Sequence, residues 1–252
     1  SALEARLTEE IFPGLSGTVI PNPVVLSPPI TDKSEFRKRF GIEETAPLVL
    51  FLGRIHPVKG LDLLVKAAAI VVREMPGTIF ALVGGDEGGY MSEIRDMVAK
   101  KGLGSSVRLP GEVYGTERWN AITAADVFVL PSHQENFGMS AAEAMSCGVP
   151  IITSPAVGVA DDISAASAGL VVDRTEEGFS TAIIALLRDA SSRQGMGESG
   201  RSFAALKYSP TAVAQSMIRM YEEVIEEHER RPFSRDAIPH WSLFGRVHRG
   251  KQ

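Results

Sequence analysis

Two short stretches of this sequence bring together residue types that can hold a diphosphate. The first is Gly53-Arg-Ile-His-Pro-Val-Lys-Gly60. Arg54 offers a planar fork for two phosphate oxygens, Lys59 adds a mobile positive charge, and Gly53 lets a ligand approach the main chain closely. The second is Pro131-Ser-His-Gln-Glu-Asn-Phe-Gly-Met-Ser-Ala-Ala-Glu-Ala-Met145, a loop running into a helix that starts near Gly138. The first amides of a helix lack partners within it and carry the positive end of its dipole, so anions are favoured there. Phe137, Gly138, Met139 and Ser140, which open this helix, are therefore candidate ligand-binding residues. Helical side chains lean toward the N-terminus, which turns Glu143 back to the same end, while Glu135 stands on the preceding loop. A carboxylate beside phosphates is useful where it accepts hydrogen bonds from hydroxyls. Cations and amides for a diphosphate, flanked by two acceptors for a ribose and a sugar, together describe a nucleotide sugar.

These stretches must be held at one edge of a scaffold, and the apolar pattern supplies it. Short apolar runs recur at 47–53, 78–83, 126–130, 150–153 and 169–172, each suited to a strand buried on both faces. Helical spacing fills the gaps, as in Leu61, Leu64, Val65, Ala68 and Val72, or Ile94, Met97 and Val98. Alternating strands and helices predict an α/β fold, a doubly wound, Rossmann-like parallel sheet whose ligands bind at the carboxyl ends of its strands. The first stretch follows the first run and the second follows the run ending at Leu130, so both belong to that edge.

The 252 residues suffice for one full domain with material over. A net charge of −5 and a pI near 5.6 give no general attraction to nucleic acid or an acidic membrane. Cys147 is the only cysteine, which rules out an internal disulfide and fits a reducing compartment, with the cytoplasm as the expected location. It reads as a small core residue. No apolar run approaches the roughly 20 residues of a bilayer crossing. Residues 1–12 look helical, Thr18 to Ile20 could form a strand, and 21–29 is a proline-rich linker, together resembling the last pieces of another domain. A helix is expected over 210–229, and residues 230–252 form a basic tail with Phe233, Trp241 and Phe244 that is either poorly ordered or packs on an absent surface. Gly84-Gly-Asp-Glu-Gly-Gly89 either borders the ligand or simply opens a helix. His56 reads as structural or exposed, and His133 as a loop residue rather than part of a sugar pocket. Asp161 and Asp162 read as a helix N-cap rather than metal ligands.

The combination of Gly53, Arg54, Lys59 and Gly60, of Glu135 and Glu143 with seven residues between them, and of Cys147-Gly-Val-Pro150 resembles the C-terminal domain of glycosyltransferase family 4, or glycosyl transferase group 1, of the GT-B fold. The resemblance covers most of the chain. It implies that Arg54 and Lys59 hold the donor diphosphate, that Glu143 binds the ribose, that Glu135 contacts the donor sugar, and that the segment 107–113 borders the nucleobase through backbone groups near Val113. It implies metal-independent transfer with retained anomeric configuration and no cofactor beyond the donor, a UDP-, GDP- or ADP-sugar. It also implies two Rossmann-like domains. Residues 1–25 would end the acceptor domain, with Val19-Ile-Pro-Asn22 before the linker, 26–46 would be a linker and short helix, and 47–229 the donor domain. Pro23 stands where family members usually have glycine.

Arg54, Lys59 and Glu135 are thus the candidate catalytic residues, with the first two stabilising charge on the departing diphosphate. The acceptor, a saccharide, lipid or small molecule, would bind the missing N-terminal domain, and contact of the intact protein with a membrane surface stays open. Two other readings compete. A glycosidase could use Glu135 and Glu143 as its carboxylate pair, although basic phosphate ligands beside them argue against it, and the isolated chain could be a nucleotide-binding module without catalysis. A nicotinamide dehydrogenase is disfavoured because no Gly-x-Gly-x-x-Gly follows the first strand.

Overall fold

The computed structural model describes residues 1–12, 17–26 and 32–230. Six strands form one parallel sheet: β1 (Leu48–Leu52), β2 (Ile79–Val83), β3 (Val107–Gly111), β4 (Val127–Leu130), β5 (Ile151–Thr153) and β6 (Gly169–Val171). All five apolar runs of the sequence became strands, and β1, β2, β4 and β5 are buried along their whole length, as a sheet covered on both faces requires. β3 was not expected. It carries Arg108 and Pro110 and is half exposed, because it lies at the edge of the order β3-β2-β1-β4-β5-β6. Proline lacks the amide a central strand must donate, so an edge is where it fits.

Ten α-helices lie among the described residues: α1 (Ala2–Ile11), α2 (Lys33–Arg39), α3 (Leu61–Glu74), α4 (Tyr90–Lys100), α5 (Thr116–Ala124), α6 (Met139–Ser146), α7 (Ala160–Ala165), α8 (Glu176–Arg188), α9 (Ala190–Lys207) and α10 (Pro210–Arg230). α3 packs with α4 and α8, while α5 packs with α2 and α6, and α6 with α9, so that a helical layer covers each face of the sheet. Strand order runs outward from β1 to β3 in one direction and from β4 to β6 in the other. The helices that leave β1 and β4 therefore diverge, opening a crevice at the carboxyl ends of these neighbouring strands.

The chain divides into two units, 1–213 and 214–252. The first holds the sheet. The described part of the second is the continuation of α10, on which Met217, Ile218, Tyr221, Val224 and Ile225 are exposed. The basic tail beyond Arg230, and residues 27–31 of the linker, lie outside the described residues. Two expectations are corrected. Thr18 to Ile20 pairs with no strand among the described residues. Asp161 and Asp162 do not cap α7, whose N-cap is Val159 with no side-chain bond. They stand in its first turn, where the helix dipole favours negative charge, and accept bonds from Arg6, and from Lys207 and Tyr208, respectively.

The polypeptide preceding β1 is fastened to the sheet domain. Val24 donates to the Tyr208 carbonyl at 2.8 Å, and the Ser146 hydroxyl donates to Val25. Phe36 of α2 is fully buried. Beside it, the buried Arg37 guanidinium donates to the carbonyls of Glu43 (2.9 Å), Ala46 (2.8 Å) and Ala124 (2.7 Å) and to the Asp126 carboxylate at 3.3 Å. Asp126 in turn accepts from the Leu48 amide at 2.8 Å, so one ion pair joins α2 to the starts of β1 and β4. Truncating Arg37 strands several acceptors at once. Arg37→Ala is expected to lose about 3 kcal/mol of stability in urea unfolding, and Arg37→Lys to recover only part, since an ammonium cannot span the same fork of carbonyls.

Candidate functional site

The segment leaving β1 turns at Gly53 and forms a short 3-10 turn over Pro57–Lys59 before α3 begins. His56 Nδ1 accepts from the Val58 amide at 3.1 Å, so this histidine caps the turn that presents Lys59. At Gly60 the backbone has φ 69°, and a Cβ would stand 2.3 Å from the Pro131 carbonyl oxygen. Only glycine lets the loop after β1 lie this close to the loop after β4. The contact brings Lys59 to Glu135, and the Lys59 ammonium donates to the Glu135 carboxylate. Glu135 is itself fixed by its main chain, which donates to Ala156 at 3.1 Å and accepts from Gly158 at 2.9 Å.

Arg54 extends from the same loop and pairs with Glu87. The glycine-rich segment 84–89 opens a helix, with Gly89 at the N-cap of α4, and Gly84 and Gly85 line the same cleft as Arg54. On the other side of the crevice, Met139 and Ser140 open α6 after Gly138. Glu143, one helical turn further on, is 6% exposed and accepts from the Arg118 guanidinium of α5. Burial raises the pKa of its carboxyl above the ordinary range, and the Arg118 charge and hydrogen bond act against that shift.

Gly53, Arg54, Lys59, Glu135, Met139 and Ser140 line one cleft of about 440 Å³, together with Glu112, Val113, Tyr114, Gly115 and Arg118 from the loop after β3 and the start of α5. The cations, the start of α6 and the carboxylates thus share the carboxyl edge of one sheet. Glu143 reaches the cleft through Arg118 rather than lining it. Phe137 and Gly138 do not line it either. The Phe137 ring is buried, 5.5 Å from the Tyr208 ring in an edge-on contact, and Gly138 faces Val157. A hollow of about 730 Å³ lined by Arg95, Val98, Arg108 and Leu109 shares none of the cleft residues.

Arg118, Tyr114 and Glu112 were missed as individual site residues. Glu112 at least fell within the segment named as a border of the base, but no sequence signal marks which side chains after an unrecognised edge strand turn inward. His133 lies in contact with Arg174, and its amide donates to Val58 at 2.8 Å, as a loop residue would. Burial pushes the Cys147 thiol up to about 11, in keeping with a core role. Among the described residues, no group of three or more His, Cys, Asp or Glu side chains could hold a metal ion, and no helix is long and apolar enough to cross a membrane.

Residues 32–203 match the family described as glycosyl transferases group 1. A D-inositol 3-phosphate glycosyltransferase of Thermobispora bispora is 31% identical over 205 residues, covering 79% of this chain and 48% of that protein. A GDP-mannose-dependent monoacylated alpha-(1-6)-phosphatidylinositol monomannoside mannosyltransferase of Corynebacterium glutamicum is 31% identical over 186 residues, 71% of this chain and 48% of that one. The chain spans about half the length of these curated relatives. Among solved structures, sucrose-phosphate synthase from Thermosynechococcus elongatus superposes with a TM-score of 0.76 at 26% identity, over 89% of this chain and 57% of its own. Anabaena HepE, solved with UDP and glucose, gives 0.76 at 21% identity over 87% of this chain and 61% of its own, a likeness of fold. By sequence and by architecture, this chain belongs to the group 1 glycosyl transferases, and its doubly wound sheet is that of a GT-B glycosyltransferase.

Proposed function

We propose that the cleft binds a nucleoside-diphosphate sugar and that, in the intact protein, its sugar passes to an acceptor with retention of anomeric configuration and without a metal ion. The observation that carries this reading is the convergence of Arg54, Lys59 and the first residues of α6 on one cleft edged by Glu135. Arg54, Lys59 and the α6 amides take the diphosphate, Glu143 takes the ribose diol by exchanging its Arg118 partner for the hydroxyls, Glu135 takes a sugar hydroxyl, and the main chain near Val113 borders the base. A relative named for GDP-mannose dependence and a fold neighbour solved with UDP support a nucleotide donor. As the anomeric C–O bond breaks, its electrons move onto the diphosphate oxygen, and preorganised cations stabilise that charge. The acceptor hydroxyl oxygen then bonds to the anomeric carbon as its proton passes to the departing diphosphate oxygen.

Because the chain spans about half of its relatives, the acceptor is assigned to a preceding domain of which residues 1–25 are the end, and this chain by itself is a donor-binding module. The location assigned to it is the cytoplasm.

Calorimetry with UDP, GDP, ADP and NAD tests the reading. It predicts binding of at least one nucleoside diphosphate, and it is abandoned if only NAD, or none of the four, binds. In the intact protein, Arg54→Ala and Lys59→Ala are each expected to lower kcat by about 10²- to 10³-fold, and near-normal transfer by both would refute their role. Glu135→Gln has a distinct signature. It frees Lys59 for the diphosphate, so affinity for the nucleoside diphosphate holds or rises while the extra affinity conferred by the sugar is lost.

Affinity should also fall on acidification. Ionised Glu143 accepts from hydroxyls more strongly than its protonated form, and its raised pKa moves that weakening to higher pH than for an ordinary carboxylate. The stability effect has the opposite sign. A carboxyl with a raised folded-state pKa favours the native state as pH falls and loses that contribution as pH rises through the folded pKa, so weaker binding in acid is not unfolding at this residue. Titrations across pH should show this acidic limb in the wild type and its absence in Glu143→Gln.

A further inference from the structure

The loop after β2 is built onto the loop after β1 as an extension of the sheet. A Cβ at Gly84, where φ is 152°, would stand 1.7 Å from the Gly53 carbonyl oxygen, so the two loops touch main chain to main chain. Beyond that contact the Ile55 amide donates to the Gly85 carbonyl at 2.8 Å, and the Glu87 amide donates to the Ile55 carbonyl at 3.2 Å. The Asp86 carboxylate accepts from the Met91 amide at 2.9 Å, which ties the same loop to α4. Glu87 is thereby held in register with Arg54, whose guanidinium donates to its carboxylate.

Both side chains of this pair are exposed, and an exposed pair adds little to stability. The other charged groups about the cleft have partners of their own: Lys59 has Glu135, Arg118 has Glu143, Glu112 has the Tyr114 hydroxyl, and His56 has the Val58 amide. Arg95 lines a neighbouring hollow with Asp86. Glu135 and Glu143 have ligand hydroxyls to accept from in the reading above. Glu87 stands at the diphosphate end, where the donor offers none, so it acts on a bound ligand through its charge. That charge distinguishes the two ends of the reaction. A nucleoside-diphosphate sugar carries one negative charge on each phosphate. The nucleoside diphosphate left after transfer has a free terminal phosphate, which gives up its proton above about pH 6 and gains a further negative charge. Repulsion from a fixed carboxylate grows with that charge.

We infer that Glu87 promotes product release by weakening the hold of the cleft on the nucleoside diphosphate more than on its sugar ester, a role that rests on the nucleotide-sugar reading of the cleft. Arg54 meets either ligand, and the carboxylate fixed beside it sets how strongly the more highly charged one is retained.

The test is calorimetry of the wild type, Glu87→Gln and Glu87→Asp with three ligand pairs: UDP and UDP-glucose, GDP and GDP-mannose, ADP and ADP-glucose. At about pH 8 and low salt, Glu87→Gln should tighten the nucleoside diphosphate roughly two- to fivefold more than its sugar ester. Glu87→Asp keeps the charge and should stay near the wild type. The excess gain should vanish at about pH 5, where the terminal phosphate keeps its proton, and shrink at high salt. The dependence on Glu143 is common to wild type and variant and cancels in this comparison. In the intact protein, Glu87→Gln should be inhibited by lower concentrations of nucleoside diphosphate than the wild type. The inference is overturned if Glu87→Gln shifts both members of a pair equally, which would mark Glu87 as a mere support for Arg54, if it tightens neither, or if the excess persists at about pH 5. A wild type that binds no nucleoside diphosphate removes the donor reading as well, whereas a binding wild type with an indifferent Glu87→Gln removes only the release role.

Discussion

A parallel sheet must return each chain segment to the same end before the next strand begins, and that constraint creates the site. Between β1 and β4 the strand order changes direction, so the loops that leave these two neighbours turn to opposite faces and leave a crevice between them. The site residues are grouped along that crevice: Arg54 and Lys59 on one side, and Glu135 with the start of α6 on the other. Gly60 against the Pro131 carbonyl is the point of closest approach and lets Lys59 reach across to Glu135. Any side chain at Gly60 would push the two loops apart and separate the cation from the carboxylate it pairs with.

The charges in the crevice are paired within the protein. Arg54 meets Glu87, Lys59 meets Glu135 and Arg118 meets Glu143. These pairs differ in how much water reaches them. Arg54 and Glu87 are 64% and 43% exposed, and an exposed pair is worth only about 0–1 kcal/mol, so the proposed diphosphate would take Arg54 at little cost. Lys59 and Glu135 are 12% and 22% exposed, and separating them would leave a partly desolvated charge behind. The proposed diphosphate would therefore be better accommodated beside that pair than in place of Glu135, which would keep the carboxylate available for a hydroxyl.

Rigidity comes from outside the crevice. Arg37 gathers the carbonyls of Glu43, Ala46 and Ala124 and the Asp126 carboxylate, clamping α2 to the amino ends of β1 and β4. The same two strands carry the site at their carboxyl ends. A fixed lower end and a close-packed upper loop contact leave the crevice residues little freedom, which is what electrostatic preorganisation requires.

Much of this was written in the residue order. Apolar runs of strand length, separated by segments of helical period, are sufficient to specify a doubly wound sheet, and its carboxyl edge then locates the loops that contain Arg54, Lys59, Glu135, Met139 and Ser140. β3 escaped because an edge strand need not be apolar, and Arg108 and Pro110 broke the pattern by which its neighbours were read. Periodicity records which face of an element is buried but not which side chains from different loops will meet. That depends on strand order and on the turns between elements. The tertiary structure alone therefore decided that Arg118 would hold Glu143, that Glu87 would reach Arg54, that Phe137 would turn inward to Tyr208, and that the Tyr114 ring would stand open over the cleft.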